Sequence, residues 1–325
     1  MTRIERAYRF IYNPLTRVIH EMWAYSFPMW YAKYMYKKML GKQLNLTSPR
    51  DLNEKIQWLK IFSDTSTWTE LTDKYKVREY IDKCGLNHIL PKLYGVWSNA
   101  HDINFSSLPE KFILKTNQSY GRAVIVKNKE KIDQMSIRKQ FNIWVKDRYG
   151  LLSFEPHCWN IQRRIIAEEL LEDRANSEVS SSLIDYKVWC FHGEPYLIMV
   201  LYDRNNKTIG GDTNNTNLHT QACIYDLDWN LRPEILSGSH KDEIPLIIPK
   251  PKCFDELIEV SKKLAKQLPQ VRVDLYVVND KVYFGELTFT SLGGYMDYFT
   301  DEYLLKMGDQ IDLSRVQLRT SRFIV

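Results

Sequence analysis

The sequence predicts an α+β protein, and three observations carry that prediction. The first 85 residues space their apolar side chains as helices do. Short apolar strands parted by turns take over from Lys111. Near the end, Val271 to Thr288 alternates polar and apolar residues as a hairpin with one polar face would. At 325 residues, 44% hydrophobic and 26% charged, the composition is that of an ordinary globular protein with room for one large domain or two intimate ones.

Residues 4–40 read as two helices parted near Phe27-Pro28, rich in Tyr, Trp, Met and Lys. That mix suits either a membrane surface or packing against the body of the protein. Ser48 to Asp51 caps a third helix with Ile56, Leu59, Ile61 and Phe62 on its core side. A fourth is expected from Thr69 to Cys84, stopping at Gly85. Strands follow at 112–115 and 123–127 around the polar turn Thr116 to Gly121, then a helix at about 134–148 and a strand over 164–171. Ile184 to Phe191 and Tyr196 to Tyr202 form an antiparallel pair turning at 192–195. The polar, Gly/Asn-rich stretch 203–220 is either a lid or disorder, and a helix at about 252–268 leads into the last hairpin.

Charge is unevenly distributed. The net charge is +5, yet residues 1–50 hold nine basic side chains against two acidic ones. Such a segment faces an acidic polymer, an anionic membrane or nucleic acid, or is simply a solvated face. Twenty Tyr and nine Trp suit a cleft for sugars, bases or peptides, and equally suit a core. The five cysteines stand singly, which argues against a zinc site or a secreted disulfide framework and for a reducing cytosol. No signal peptide is expected, and no apolar run is long enough to span a bilayer.

The most informative stretch is Val271 to Thr288. Arg272, Asp274 and Tyr276 share one strand face, and Glu286 and Thr288 share a face of the return strand. A three-residue loop at 279–281 would set Asp274 opposite Glu286 and Arg272 opposite Thr288, whereas a two-residue turn would throw Glu286 to the other face. Facing carboxylates repel unless a cation lies between them, and hard oxygens suit Mg²⁺. The bland alternative is a structural Arg–Asp–Glu network. Lys115, at the end of an apolar strand before a turn containing Ser119, Tyr120 and Gly121, can hold a phosphate. Glu168, Glu169, Leu170 and Leu171 put acidic groups and backbone at another strand end, while Asp185 and Lys187 share a face and suit a ribose and a phosphate.

In this order, the residues resemble the ATP-grasp superfamily and, more closely, its TupA-like family of polysaccharide-biosynthesis proteins. The matching blocks are Leu52 to Leu59, Leu71 to Arg78, Phe112 to Gly121, Asn160 to Leu170, Asp185 to Val188 with Phe191 to Pro195, and Val271 to Tyr276 with Phe284 to Thr290. The resemblance implies an ATP-grasp fold, two α+β subdomains gripping ATP, behind a helical N-terminal extension. It divides the chain into an extension over 1–68, an N-terminal lobe over 69–170 and a C-terminal lobe over 171–325. It implies that Lys115 and the turn meet the nucleotide phosphates, that residues 168–171 receive adenine, and that Asp185 and Lys187 take ribose and phosphate. Asp274, Glu286 and Thr288 would hold Mg²⁺, Arg272 would be the catalytic oxyanion donor, and Lys74 a weaker nucleotide contact. Thr288 stands where the family pattern has Asn, and no βαβ pattern matches the usual N-terminal Rossmann-like domain.

The function so implied is ATP-dependent amide formation between an amino acid or amine and a uronic-acid carboxylate of a capsular or teichuronic-type surface polysaccharide or its precursor. The alternative is a glycosyltransferase using a sugar nucleotide, for which Asp226-Leu-Asp228 supplies a literal acidic metal pattern, read here as a turn. The expected setting is cytoplasmic, with the inner membrane face left open through residues 1–40, and no nucleic-acid partner is expected.

Overall fold

Two helices begin at prolines, which are pre-set for a first helical turn. These are α1 (Pro14–Ser26) and α2 (Pro28–Leu40), the latter closed by Gly41 at φ +75°. The computed structural model describes residues 14–173, 179–203, 220–238 and 246–320, and structural statements concern these. Tyr31, Ala32, Met35, Tyr36 and Met39 of α2 pack onto Ile61, Leu152, Phe154 and Tyr295. Helix α3 (Leu52–Phe62) starts as its sequence asks: Asp51 accepts from the Glu54 N–H at 2.8 Å, and Glu54 reaches back to the Arg50 N–H at 2.8 Å.

The single helix expected over 69–84 is two, α4 (Ser66–Thr72) and α5 (Val77–Lys83), ending at Gly85 with φ +73°. Asp73 breaks it. Its backbone is extended, and its carboxylate accepts from the Tyr75 and Lys76 N–H groups and from Asn117 Nδ2 at 2.7 Å. A side chain that bonds the next turn's amides competes with the helix ladder, and here the competition is won with help from another element.

Two antiparallel sheets follow. The first orders β1 (Leu93–Trp97), β4 (Ile165–Glu168), β2 (Phe112–Thr116) and β3 (Ala123–Val126) side by side. Helix α6 (Gln134–Lys146) covers one face, with Ile137, Phe141 and Val145 against Phe112, Leu114, Val124 and Ala167. The strand expected to reach residue 171 ends at Glu168. The second sheet runs β7 (Gln221–Tyr225), β6 (Glu194–Tyr202), β5 (Asp185–Phe191), β8 (Gln270–Val278) and β9 (Lys281–Thr288). Helix α7 (Phe254–Ala265) buries Leu257, Val260 and Leu264 on one face, against Val188, Val273 and Leu275. On the other face Trp189, Leu197 and Met199 meet α3 and helix α8 (Asp301–Asp309). That second face also carries the polar residues of β5, β8 and β9.

Most of the stretch 203–220 and the start of the chain lie outside the described residues. No described helix is long and apolar enough to cross a membrane.

Candidate active site

The hairpin pairs Asp274 with Glu286 and Arg272 with Thr288, but by another route than a three-residue loop. The turn has two residues, Asn279 and Asp280 at φ +51° and +60°, pairing Val278 with Lys281. Asn and Asp tolerate this left-handed geometry, which matches strand twist. The slip that such a turn should cause is undone by a bulge at Gly285. A side chain could not bulge there easily, because a Cβ on Gly285 would lie 2.8 Å from the Asp274 carbonyl oxygen.

Arg272 donates to both Asp274 oxygens at 2.7 Å, to Ser291 Oγ at 2.6 Å and to Thr288 Oγ1 at 3.1 Å, and its guanidinium lies over Trp189. Four of its five N–H groups are thereby engaged, so the side chain is held rigid with one N–H of Nη1 over, among the described residues. Thr288 passes the contact on, donating to Glu286 Oε1 at 3.2 Å. Lys187, from the neighbouring β5, bridges Asp274 and Asp185, the latter at 2.8 Å. The registers Lys187 with Asp274 and Asp185 with Tyr276 put these groups on one sheet face.

Lys74 completes the cluster from the broken helix. Its Nζ lies 3.2 Å from Glu286 Oε2 and donates to the Ser119 carbonyl at 3.1 Å, while its N–H donates to the Asn117 carbonyl. One lysine therefore ties the β2–β3 turn of the first sheet to the carboxylate of the second. Four residues on, Arg78 Nη1 meets Glu168 at 3.2 Å, and Lys115 Nζ meets the other oxygen of Glu168 at 2.5 Å. In the turn, Thr116 and Ser119 hydroxyls bond each other, Gly121 takes φ +70°, and Tyr120 stands exposed. Glu169 is fastened to Lys92 by backbone and carboxylate, with Leu170 and Leu171 half-buried beyond the strand end.

Thus Lys74, Ser119, Asp185, Lys187, Arg272, Asp274, Glu286 and Thr288 form one connected network. Lys115 and Glu168 form a second cluster, joined to it through the segment holding Lys74 and Arg78. Tyr120 is exposed in the turn, and Leu170 and Leu171 lie beyond the end of β4. Sequence reading passed over Asp73, Arg78, Asn117 and Ser291. Arg78 lay inside a matching block, but nothing local distinguished it from a surface arginine.

Electrostatics favour a polyanion here. Lys74, Arg78, Lys115, Lys187 and Arg272 face Asp185, Glu168, Asp274 and Glu286, which leaves one positive charge over. Burial works against the charge on Glu286, but Lys74, then Lys187 and Arg272, outweigh it and hold its carboxyl well below the ordinary glutamate value. Burial likewise opposes the Arg272 charge, and Asp274 more than compensates, pushing that guanidinium above its ordinary value. The hard oxygens of Asp274, Glu286 and Thr288 are the donor types Mg²⁺ takes, and the lysines now neutralising them are flexible enough to turn to phosphates. The Asp226-Leu-Asp228 pattern is a turn after β7. Asp226 accepts from the N–H groups of Asp228 and Asn230 at 3.1 and 2.8 Å, which explains its carboxylate without a metal.

No curated protein sequence matches the chain. Among solved structures, D-alanine–D-alanine ligase from Bacillus anthracis is 15% identical, with TM-score 0.48, over 79% of this chain and 74% of that one. The same enzyme complexed with ATP aligns over 77% of this chain and 66% of that one, with 15% identity and TM-score 0.45. An L-amino acid ligase from Bacillus licheniformis is 11% identical, with TM-score 0.42, over 69% of this chain and 44% of that one. The chain thus spans from under half to about three quarters of these proteins. The TupA-like ATP-grasp family matches residues 54–312, a stretch that includes every residue of the two clusters. On that match the fold is ATP-grasp, and the chain belongs to the TupA-like ATP-grasp family.

Proposed function

We propose that the chain is an ATP-dependent carboxylate–amine ligase that forms an amide between an amino acid or amine and a uronic-acid carboxylate of a surface polysaccharide or its precursor. The observation that carries this reading is the opposition of Asp274 and Glu286 inside a cage of Lys74, Lys187 and Arg272. Facing carboxylates held by three cations suit a nucleotide polyphosphate with its metal better than they suit a neutral sugar.

In this reading the chain divides into lobes near residue 170, with the nucleotide between them. Lys115, Lys74 and the Ser119–Gly121 turn hold phosphates, and Glu168 keeps Lys115 in position. Residues 168–171 receive adenine, Asp185 takes the ribose and Lys187 a phosphate. Asp274, Glu286 and Thr288 would hold Mg²⁺, which when bound neutralises phosphate charge. The acceptor carboxylate attacks the γ-phosphorus and ADP leaves. The amine then adds to the acyl carbon of the acylphosphate, and phosphate departs as the amide forms. Arg272, already rigid, donates its remaining N–H to the oxyanion of that tetrahedral intermediate. A preorganised donor of this kind needs no rearrangement at the moment of reaction. The basic N-terminal segment suits a polyanionic acceptor, and ATP consumption assigns the work to the cytoplasm.

Thermal unfolding with Mg-ATP, Mg-ADP, UDP-glucose and UDP-glucuronic acid tests the reading, because a ligand of the native state raises its apparent stability. A rise with Mg-ATP or Mg-ADP that EDTA removes is expected, and would direct ADP-release screens of amines and uronic acids. A rise with a UDP-sugar alone would replace the ligase by a glycosyltransferase.

A further inference from the structure

The helical hairpin of α1 and α2 has one face that packs and another that the fold leaves bare. Its inner face is fastened to the body through Tyr31, Met35, Tyr36 and Met39, with the Tyr31 hydroxyl donating to the Leu152 carbonyl at 2.9 Å. The outer face of α1 shows Val18, Ile19, Met22 and Tyr25, which fall at helical spacing on one side. Phe27 at the bend is 60% exposed, and at the start of α2 Met29 and Trp30 follow, the latter 67% exposed. Seven large apolar side chains are therefore exposed on two adjoining helices, Tyr25 while stacked on Trp159. Singly exposed apolar residues are ordinary, but contiguous patches of this kind mark interaction surfaces.

The charges around the patch say what covers it. Lys33 and Lys37 continue the Met29–Trp30 face of α2 at helical spacing, both exposed. No carboxylate of a described residue lies within ion-pair distance of either; Lys33 Nζ instead stands over the Trp30 ring. The one acidic residue of the hairpin, Glu21, is neutralised by Arg17 at 2.9 Å and Arg148 at 3.7 Å. Among the described residues, the surface thus offers apolar groups with a rim of cation outside ion-pair distance of any carboxylate, and no unpaired anion. Aromatic and aliphatic side chains at a helical tip, backed by lysines, match a bilayer interface with anionic headgroups.

We propose that the outer face of the α1–α2 hairpin docks on an anionic lipid surface, with Ile19, Met22, Phe27 and Trp30 entering the headgroup layer and Lys33 and Lys37 on its phosphates. The helices lie on the membrane and do not span it. The hairpin is anchored on residues 152–154, next to Glu155, which bonds Thr290 two residues beyond Thr288. Docking there holds the charge network around Glu286 close to the bilayer, whatever reaction that network serves.

Co-sedimentation of the full chain with phosphatidylglycerol/phosphatidylcholine vesicles, and with phosphatidylcholine vesicles alone, tests this. Binding to the mixed vesicles at least about tenfold tighter than to phosphatidylcholine is expected, since each lysine near an anionic surface contributes about 1 kcal/mol. Lys33→Gln with Lys37→Gln should erase most of that difference. Ile19→Ser, Met22→Ser and Trp30→Ser together should abolish binding while the thermal midpoint stays put, because the changed side chains are exposed. Failure of the wild-type chain to sediment with the mixed vesicles overturns the proposal. So does a concentration-dependent dimer that the triple substitution dissolves, which would make the covering surface a second copy.

Discussion

The β8–β9 hairpin and the segment Asp73–Arg78 supply the two halves of one charge cluster, yet they are built in opposite ways. The hairpin holds Arg272, Asp274, Glu286 and Thr288 within a single pair of strands, where alternation within each strand and the bulge at Gly285 between them bring the polar groups onto one face. The 73–78 segment holds Lys74 and Arg78 on a broken helix, and its shape depends on Asn117 from a distant turn. Contacts within one pair of strands suffice for the first. The second exists only once the first sheet has folded against it. A site made from both inherits the rigidity of one and the adjustability of the other.

Breaking the rigid half should have the largest effect. Arg272→Ala removes the guanidinium that fixes Asp274, Thr288 and Ser291 together. We expect turnover, read as ADP release, to fall by roughly 100- to 1,000-fold, the usual loss for an oxyanion donor, with nucleotide binding still measurable. Unchanged turnover would strip Arg272 of its role and leave the hairpin as a structural network.

The bulge offers a finer cut within the same half. Gly285→Ala puts a Cβ against the Asp274 carbonyl oxygen. The strand must shift, costing about 1–3 kcal/mol as overpacking does, and Glu286 shifts with it. Loss of stability together with weaker metal dependence of ATP binding is expected. A variant as stable and active as the parent would mean that the register does not rest on this glycine.

How far the site was legible follows from the same contrast. The pairing of Asp274 with Glu286 follows in the sequence only from a three-residue loop, and the structure reaches the same pairing without that loop. The two-residue turn Asn279-Asp280 is not legible, and the compensating bulge at Gly285 is invisible to a pattern in which glycine is merely apolar-compatible. The helix over 69–84 read as continuous because Asp73 breaks it by bonding Asn117, 44 residues away. Lys74 therefore looked like a minor contact, and Arg78 like none. The α1–α2 hairpin read as either packed or membrane-facing, and its buried and exposed faces show that the first half of that choice left the second available.

Lys74 tests the adjustable half. Lys74→Met keeps the aliphatic stem and removes the ammonium shared by Glu286 and the Ser119 carbonyl. A charged hydrogen bond of this kind is worth about 1.5 kcal/mol, so Mg-ATP should bind roughly tenfold more weakly while turnover at saturation changes less. If the thermal midpoint falls but nucleotide affinity does not, Lys74 is a strut between the sheets and not a phosphate contact.

The smallest effect lies in the acid range, and it reports whether the two halves meet in solution as they do here. Lys74 is the largest influence holding the Glu286 carboxyl low against its burial, with Lys187 and Arg272 behind it. The folded chain therefore leaves Glu286 ionised where the unfolded chain, near the ordinary value of 4.5, binds a proton. With more protons on the unfolded state, stability must fall as pH drops through and below that value. The contribution is complete above it and amounts to at most about 1.4 kcal/mol per pH unit for one group. Glu286→Gln lacks that proton uptake, so denaturant unfolding of parent and variant at a series of pH values should show their difference shrinking from about pH 5 downward. Lys74→Met should flatten the parent's slope in the same window. A difference that stays constant with pH would mean that Lys74 and Glu286 are not paired in the free protein, and that the two halves come together only when a nucleotide draws them in.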